Sequence, residues 1–489
     1  MSRGASRTRP GSPTTSSAIT AFEPRQLAES AAGTLLHDGA VPIVGAAVDS
    51  RRVEPGNAFF ALPGERTDGH RFLEAAVAAG AAALVVSEPL DADRLQALAG
   101  ERASLSVVHV ADPAAALRAV AAAYRARFDP LVIGITGSLA KTSTKELVAE
   151  VLAGRFRVLR SVGNENNEIG MPLTLLRLRP EHEVAVLEMG LYTMGEIALL
   201  ARLAQPSIGV VTAVRGVHIS RAGSIEAIEA GKRELVEALP ASGWAVLNAD
   251  DPRVSGMARS TPARVMRYGF DTAADVRAED VRSLAAAGMR FRLRWPEGIC
   301  DVTTPALGRH GVHNALAAAA VATCAGLSGD DIASGLARPV HTPHRSHLIR
   351  AGGWTILDDS YNASPDAVLA ALGLLAELPG RRIAVLGEML ELGEAAVAEH
   401  HRVGLGAASV AERLIVVGAG AAGIAEGALA GGLAAERIDR VADRDEALTT
   451  LLAGLRDGDT VLVKASRGAA LDLLVDQLVL AAQSGGASA

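Results

Sequence analysis

The residues best suited to chemistry lie in LVIGITGSLAKTSTKE, Leu131 to Glu146. Leu131, Val132, Ile133, Ile135 and Thr136 predict a buried parallel strand, and a helix is expected to begin at Lys141. The turn between them, Gly137, Ser138, Leu139 and Ala140, would bring backbone N–H groups and a helix N-terminus to one place, which suits a polyphosphate. Lys141 would then reach the β- and γ-phosphates, and the Thr142 hydroxyl would meet Mg²⁺. The loop departs from G-x-x-x-x-G-K-[ST], because Ile135 stands at the first glycine and Ala140 at the second. Where position 140 requires a positive φ, alanine costs about 1 kcal/mol.

Only four of the 48 basic residues are lysines: Lys141, Lys145, Lys232 and Lys464. Where a bare positive charge suffices, arginine is used, so a retained lysine marks a place that needs a compact ammonium or a deprotonatable amine. Lys145, one turn into the helix, reads as chance survival. Lys232, with Glu229 one turn back, is either half of an i,i+3 ion pair or a functional amine, and its rarity favours the second.

Other candidates are set by where strands end. Glu188 closes the run VAVLE, so its carboxylate should emerge beside the phosphate loop, where a Mg²⁺ ligand is needed. His218 follows the strand IGVVT on the same sheet edge and is a candidate second ligand, against the ordinary reading of a structural histidine.

These groups need a large α/β frame. A chain of 489 residues, 49% hydrophobic but only 3% aromatic, predicts about three domains with aliphatic cores. A net charge of −7 with scattered basic residues offers no nucleic-acid surface. Cys300 and Cys324 are too few for a disulfide scaffold, which points to a reducing cytosol. No apolar run is long enough to insert in a membrane, and the longest, Leu316 to Leu327, reads as a core helix.

Residues 1–21 read as a disordered tail. Residues 22–111 form a first unit, where Asp49, Ser50, Arg51 and the turn Asp68-Gly69-His70 could hold a sugar or nucleotide. Residues 112–339 alternate strands and helices, with a helix at Ala115 to Arg127 and strands at Arg157 to Arg160, Val184 to Glu188, Ser207 to Thr212 and Trp244 to Asn248. That is a parallel sheet with its ligands at the strands' carboxyl ends. Residues 340–489 repeat strand and helix through WTILDD, RRIAVLG, RLIVVG and DTVLVKA.

Long stretches carry a resemblance that spacing alone could not: DSRRVEPGNAFFAL, GITGSLAKTSTKE, GNENNEIGMPLTLLRL, LEMGLYTMGEI, NADDPRV, HNALAAAA, LDDSYNASPDA, LGEMLELGE and VLVKASR. The chain resembles the Mur ligase family of peptidoglycan synthesis, most closely its MurF type. The resemblance implies a three-domain architecture: a central parallel-sheet ATPase flanked by an N-terminal UDP-substrate domain and a C-terminal Rossmann-like domain. It implies a cytoplasmic, monomeric, ATP-dependent ligase that joins D-Ala-D-Ala to UDP-N-acetylmuramoyl-tripeptide through an acyl phosphate, with two Mg²⁺ ions.

Roles carry over by position. Gly137 to Ser143 match the phosphate loop, and Thr142, Glu188 and His218 match metal ligands. Lys232 matches a lysine that is carbamylated to hold the second ion. Asn314 and Asp359 match adenine and ribose contacts, and Arg345 an arginine brought to the γ-phosphate. Asn164, Asn166 and Asn167 fall on the substrate side; Tyr361, Asn362 and Ser364 fall where the dipeptide is expected; Ser50 and Arg51 lie near the UDP end. Ala140, Ala213, Gly311 and His344 depart from the family around the nucleotide, standing for glycine, asparagine, asparagine and glycine. Two other readings stay open: a related ligase with another amine acceptor, and a nucleotide-binding chain without turnover.

Overall fold

The run LVIGIT forms the strand Leu131–Thr136, and five of its six residues are buried. In this computed structural model, which describes residues 21–64, 67–100, 104–216 and 223–485, that strand lies inside a nine-stranded sheet. Its neighbours are Ile208–Val211 and Val184–Glu188, both parallel to it. Val158–Arg160 closes one edge. On the other side Trp244–Asn248, Arg264–Gly269 and Val276–Ser283 continue in parallel, and Met289–Trp295 and Gly298–Thr304 add an antiparallel ribbon. The parallel strands expected from sequence are present within a residue or two at each end. The extension over residues 264–304 was not expected.

The long alanine-rich run becomes the helix Gly308–Cys324, which packs on the phosphate-loop helix Lys141–Ala153. Ala315, Ala317, Ala318, Ala319 and Ala320 are almost wholly buried beside Ile133, Ile135, Val148 and Val151. Small Cβ groups let the two helices and the sheet approach closely, and each buried aliphatic side chain contributes about 1.5–3 kcal/mol.

Residues 340 onward build a six-stranded sheet in the order His347–Ala351, Trp354–Asp358, Thr460–Lys464, Arg382–Gly387, Arg413–Val417 and Ile438–Val441. All pairs are parallel except the first. A five-stranded sheet organises the N-terminal region, with Ser106–His109, Ala83–Val86 and Ala58–Phe60 at its centre.

The chain divides into two compact units, one through Asp129 together with Leu175–His182, the other Pro130–Thr174 with Glu183 onward. The helix Pro113–Arg125, assigned from its place in the sequence to the second unit, belongs to the first. There Tyr124 stacks at 5.2 Å on Phe22 and donates to Leu178 O at 2.9 Å. No helix among the described residues is long and apolar enough to cross a membrane.

Lys145 is not a chance survivor. Its side chain is fully buried, with Nζ 2.6 Å from Ser161 O and 2.7 Å from Glu146 Oε1. Ser161 in turn accepts the Glu188 N–H on its hydroxyl at 3.1 Å. A lysine thus ties the phosphate-loop helix to the strand ends that aim Glu188. Lys145→Met leaves Ser161 O and Glu146 without their buried partner. It is expected to lower stability by about 3 kcal/mol in urea denaturation, and a loss under 1 kcal/mol would refute the anchor.

Candidate active site

The strand Leu131–Thr136 delivers the chain into the loop 137–140 at the carboxyl edge of the sheet. Gly137 has φ +150°, and a Cβ there would overlap the Thr212 hydroxyl, so only glycine passes. Ala140 sits at φ +63° as the N-cap of the helix, with no side-chain cap. The alanine therefore does occupy a left-handed position. An α-helix leaves its first four N–H groups without intrahelical partners, and here they face a cleft of about 470 Å³ lined by Leu139, Ala140, Lys141, Thr142 and Ser143. Lys141 Nζ rests on Gly137 O at 2.6 Å. Burial pushes the Lys141 ammonium below its usual range, Glu188 pulls it back up and Arg345 adds to the lowering.

Ser138 does different work from the rest of the loop. Its N–H donates to Ala213 O at 2.7 Å, and its hydroxyl donates to Arg215 O at 3.0 Å while accepting Arg215 N–H at 2.9 Å. The Thr212 hydroxyl donates to Leu139 O at 2.6 Å. This second loop is itself held by two residues of NADDPRV. Asn248 donates to Thr212 O at 2.7 Å, and buried Asp251 accepts from Val214 N at 2.9 Å and pairs with Arg215 at 2.5 Å.

Glu188 emerges beside the loop, 2% exposed. Asn166 Nδ2 donates to its Oε1 at 2.8 Å, whereas Oε2 is buried without a partner among the described residues. A fixed carboxylate with one unsatisfied oxygen, in a cleft that also holds the Thr142 hydroxyl, is an oxygen donor set suited to a hard cation such as Mg²⁺. Lys232 is 4% exposed in the helix Ile225–Glu237, and among the described residues it has neither hydrogen bond nor ion pair. Glu229 pairs instead with Arg253 at 2.6 Å, so the i,i+3 alternative for Lys232 fails. Burial, reinforced by the Lys141 charge, pushes the Lys232 amine well below its usual range. His218 lies outside the described residues.

The facing wall comes from the C-terminal sheet. Arg345 stacks on the Tyr361 ring at 4.2 Å and Arg467 at 5.3 Å. Asp359 lines the cleft between Ser346 N at 2.9 Å and Lys464 Nζ at 2.5 Å. Lys464 also donates to Asn362 O at 2.9 Å; it was counted among the rare lysines but given no role. Asn164, Asn166, Tyr361, Asn362 and Ser364 line the same cleft, and the buried Ser364 hydroxyl has no partner. A second cavity of about 290 Å³ continues beyond Ser143, Asn314 and Arg345 between apolar Leu147, Pro305 and Val340. Its size and lining suit a flat base.

Two departures acquire physical reasons here. Gly311 lines that second cavity, and a Cβ on it would meet Ala306 at 3.1 Å, so a larger residue requires Ala306 to move. His344 occupies φ +59°, and its Nδ1 lies 2.9 Å from Asp358 Oδ2, which offsets the strain.

Asn167 is not among the residues that line this cleft. Asn167 Oδ1 accepts from Gly170 N at 2.8 Å and Ile169 N at 3.3 Å, capping the helix Gly170–Leu175. Ser50 and Arg51 belong to the other compact unit, in a short turn where exposed Arg51 pairs with Asp49 at 2.6 Å. His70 is a buried clamp: Nδ1–H faces Asp68 at 2.6 Å and Nε2 accepts Ser87 N–H at 2.9 Å. That leaves neither nitrogen for a sugar or for a metal shared with Asp68 and Glu88.

Comparisons agree with this architecture. Three family models match in series: the Mur ligase family catalytic domain at residues 42–125, the Mur ligase middle domain at 135–322 and the Mur ligase glutamate ligase domain at 344–467. The chain belongs to the Mur ligase family. Within it the similarity is to the MurF type. The UDP-N-acetylmuramoyl-tripeptide–D-alanyl-D-alanine ligase of Mycobacterium tuberculosis H37Rv is 43% identical, covering 88% of this chain and 91% of that protein. The ligase of the same name from Escherichia coli K12 is 37% identical, covering 88% and 92%. A crystal structure of MurF from Acinetobacter baumannii superposes with a TM-score of 0.83 at 29% identity, over 94% of this chain and 99% of that one. The MurF ligase of Thermotoga maritima in complex with ADP gives 0.77 at 26% identity, over 90% and 98%.

The strain at Ala140 has a direct consequence. Ala140→Gly is expected to stabilise the chain by about 1 kcal/mol, read as a higher denaturation midpoint. A neutral or destabilising outcome would contradict the left-handed N-cap.

Proposed function

We propose that this chain joins D-Ala-D-Ala to UDP-N-acetylmuramoyl-tripeptide, converting ATP to ADP and phosphate through an acyl phosphate. The observation that carries this reading is the single cleft in which the uncapped helix start, Lys141 and the unpaired oxygen of Glu188 meet Arg345 and the segment 361–364. The names of the close relatives support the substrates.

A carboxylate is a poor acylating agent, because its leaving group would be an oxide. Phosphorylation supplies a better one. The triphosphate lies along the first turn of the phosphate-loop helix, with Lys141 and Arg345 offsetting charge on the γ-phosphoryl group. The base occupies the cavity past Asn314. The tripeptide carboxylate attacks the γ-phosphorus and ADP leaves. The free amine of the dipeptide then attacks the acyl carbon, the C–O bond to phosphate breaks, and the proton released from nitrogen passes to the departing phosphate. Water would intercept the acyl phosphate, so the cleft must close before the second step.

Glu188, Thr142 and His218 are assigned to hold one Mg²⁺, which when bound neutralises phosphate charge. Lys232 suits the second ion as a carbamate. An unprotonated amine is what adds CO₂, and the burial that lowers this group favours that form. Arginine offers no such amine. The UDP end is assigned to Ser50 and Arg51 within residues 22–111, ATP to residues 112–339, and the dipeptide to residues 340–489. The enzyme is taken to work as a cytoplasmic monomer.

Phosphate release with ATP, Mg²⁺, UDP-N-acetylmuramoyl-tripeptide and D-Ala-D-Ala, omitting one component at a time, tests the reading. Release that needs every component, with a pentapeptide product by mass, is expected. Release without an acceptor amine, or with other amines only, would overturn it. In the same assay Lys232→Met is expected to lose at least about 100-fold in rate, and the wild type to show a carbamate signal by ¹³C NMR in labelled bicarbonate. A fully active variant would remove Lys232 from the site.

A further inference from the structure

We infer that Arg467 is the receptor for the carboxylate of the incoming dipeptide and thereby sets the length of acceptor the enzyme takes; this rests on the ligase reading above. D-Ala-D-Ala is a zwitterion whose amine must reach the acyl carbon near Lys141 and Arg345. Its carboxylate then lies two residues away, about 7 Å along an extended chain, and an anion entering a partly desolvated cleft needs a cation. Most of the cations available there are already engaged. Lys464 is committed to Asp359 and Asn362 O, at 2.5 and 2.9 Å. Lys141 belongs to the phosphate loop, and Arg345 lines both the cleft and the base cavity, which places it on the nucleotide.

Arg467 differs from these. It follows the strand Thr460–Lys464, is exposed and lines the larger cavity but not the smaller, and among the described residues has no carboxylate partner. Its Nη1 donates to the Tyr361 hydroxyl at 3.2 Å and its guanidinium lies over the Tyr361 ring at 5.3 Å. Since Arg345 sits 4.2 Å from the same ring, the two guanidinium groups are within about 10 Å of each other, a spacing a dipeptide can span. Stacking on tyrosine orients the planar fork without using all its donors, leaving N–H groups for a bidentate carboxylate contact.

A second observation points to the same ligand. Ser364 is 6% exposed and lines the cleft, and its buried hydroxyl has no partner among the described residues. A buried hydroxyl with an unused donor, in the lining of the same cleft as an arginine that pairs with no carboxylate among the described residues, is what a peptide terminus, with its carboxylate and amide carbonyl, would satisfy. A single amino acid carries its carboxylate one residue closer to its amine and cannot meet Arg467 while its nitrogen attacks.

The test is steady-state kinetics with D-Ala-D-Ala, D-Ala-D-Ala amide and D-Ala as acceptors. For the wild type the dipeptide acid is expected to have a KM at least about 20-fold below that of its amide, with D-Ala inactive. Arg467→Gln is expected to raise the KM for the acid to that of the amide, to leave the KM for the amide unchanged and to keep kcat within about 3-fold; Arg467→Lys should recover part of the preference. An Arg467→Gln enzyme that keeps the acid-over-amide preference, or that loses kcat equally on both, overturns the assignment. A wild type that releases no phosphate with D-Ala-D-Ala would instead defeat the ligase reading itself.

Discussion

Every α-helix begins with N–H groups that its own backbone cannot satisfy, and the start of Lys141–Ala153 is left uncapped at the edge of the central sheet. Water can satisfy those donors, but so can a phosphate, and the surrounding structure favours the phosphate. Strand Leu131–Thr136 and the helix Gly308–Cys324 fix the helix from below and beside. Ser138 gives up its amide and hydroxyl to Ala213 and Arg215, so the loop is held from its far side while the remaining donors stay open. Asn248 and Asp251 hold the holding loop in turn. The helix start is therefore held by bonds made away from its open donors, and the strain at Ala140 is accepted within that frame.

Buried cations and carboxylates divide the remaining tasks. Glu188 keeps one oxygen for Asn166 and presents the other unpaired. Lys145 and Lys464 are structural ammonium groups, each wired to a backbone carbonyl and a carboxylate. Lys232 is the contrasting case, buried with no partner among the described residues. The lysines retained in this chain thus differ in setting: Lys141 lies at the open helix start, Lys145 and Lys464 brace strand ends, and Lys232 is buried where its ammonium form is disfavoured.

Much of the frame was legible beforehand, and the reasons for the exceptions are physical. A fully buried parallel strand reads as a continuous aliphatic run, which is why Leu131–Thr136, Val184–Glu188 and Trp244–Asn248 stood out. Met289–Trp295, MRFRLRW, alternates buried and exposed positions and carries arginine on its wet face, so a search for aliphatic runs passes over it; its period of two was the missed signal. The helix Pro113–Arg125 was assigned by sequence order, and order does not reveal which sheet a helix covers. Lys141, Thr142 and Glu188 could be placed from loop and strand-end chemistry. Arg345, Asn314 and Asp359 come from distant segments and were reached only through the family resemblance, and Asn248, Asp251 and Ser161 were missed because their work is to orient other groups. The turn at His70 was open to a sugar site or to ordinary turn residues, and the second reading holds, because its second nitrogen accepts the Ser87 amide.

The central claim is that this cleft activates a carboxylate by phosphorylating it. The most direct measurement uses UDP-N-acetylmuramoyl-tripeptide carrying ¹⁸O in both oxygens of the reacting carboxylate, with unlabelled ATP and D-Ala-D-Ala, and weighs the products of one turnover. An acyl phosphate requires one ¹⁸O in the released phosphate and one in the new amide carbonyl. Phosphate released without label would mean that water or another group takes the γ-phosphoryl, and would contradict the account.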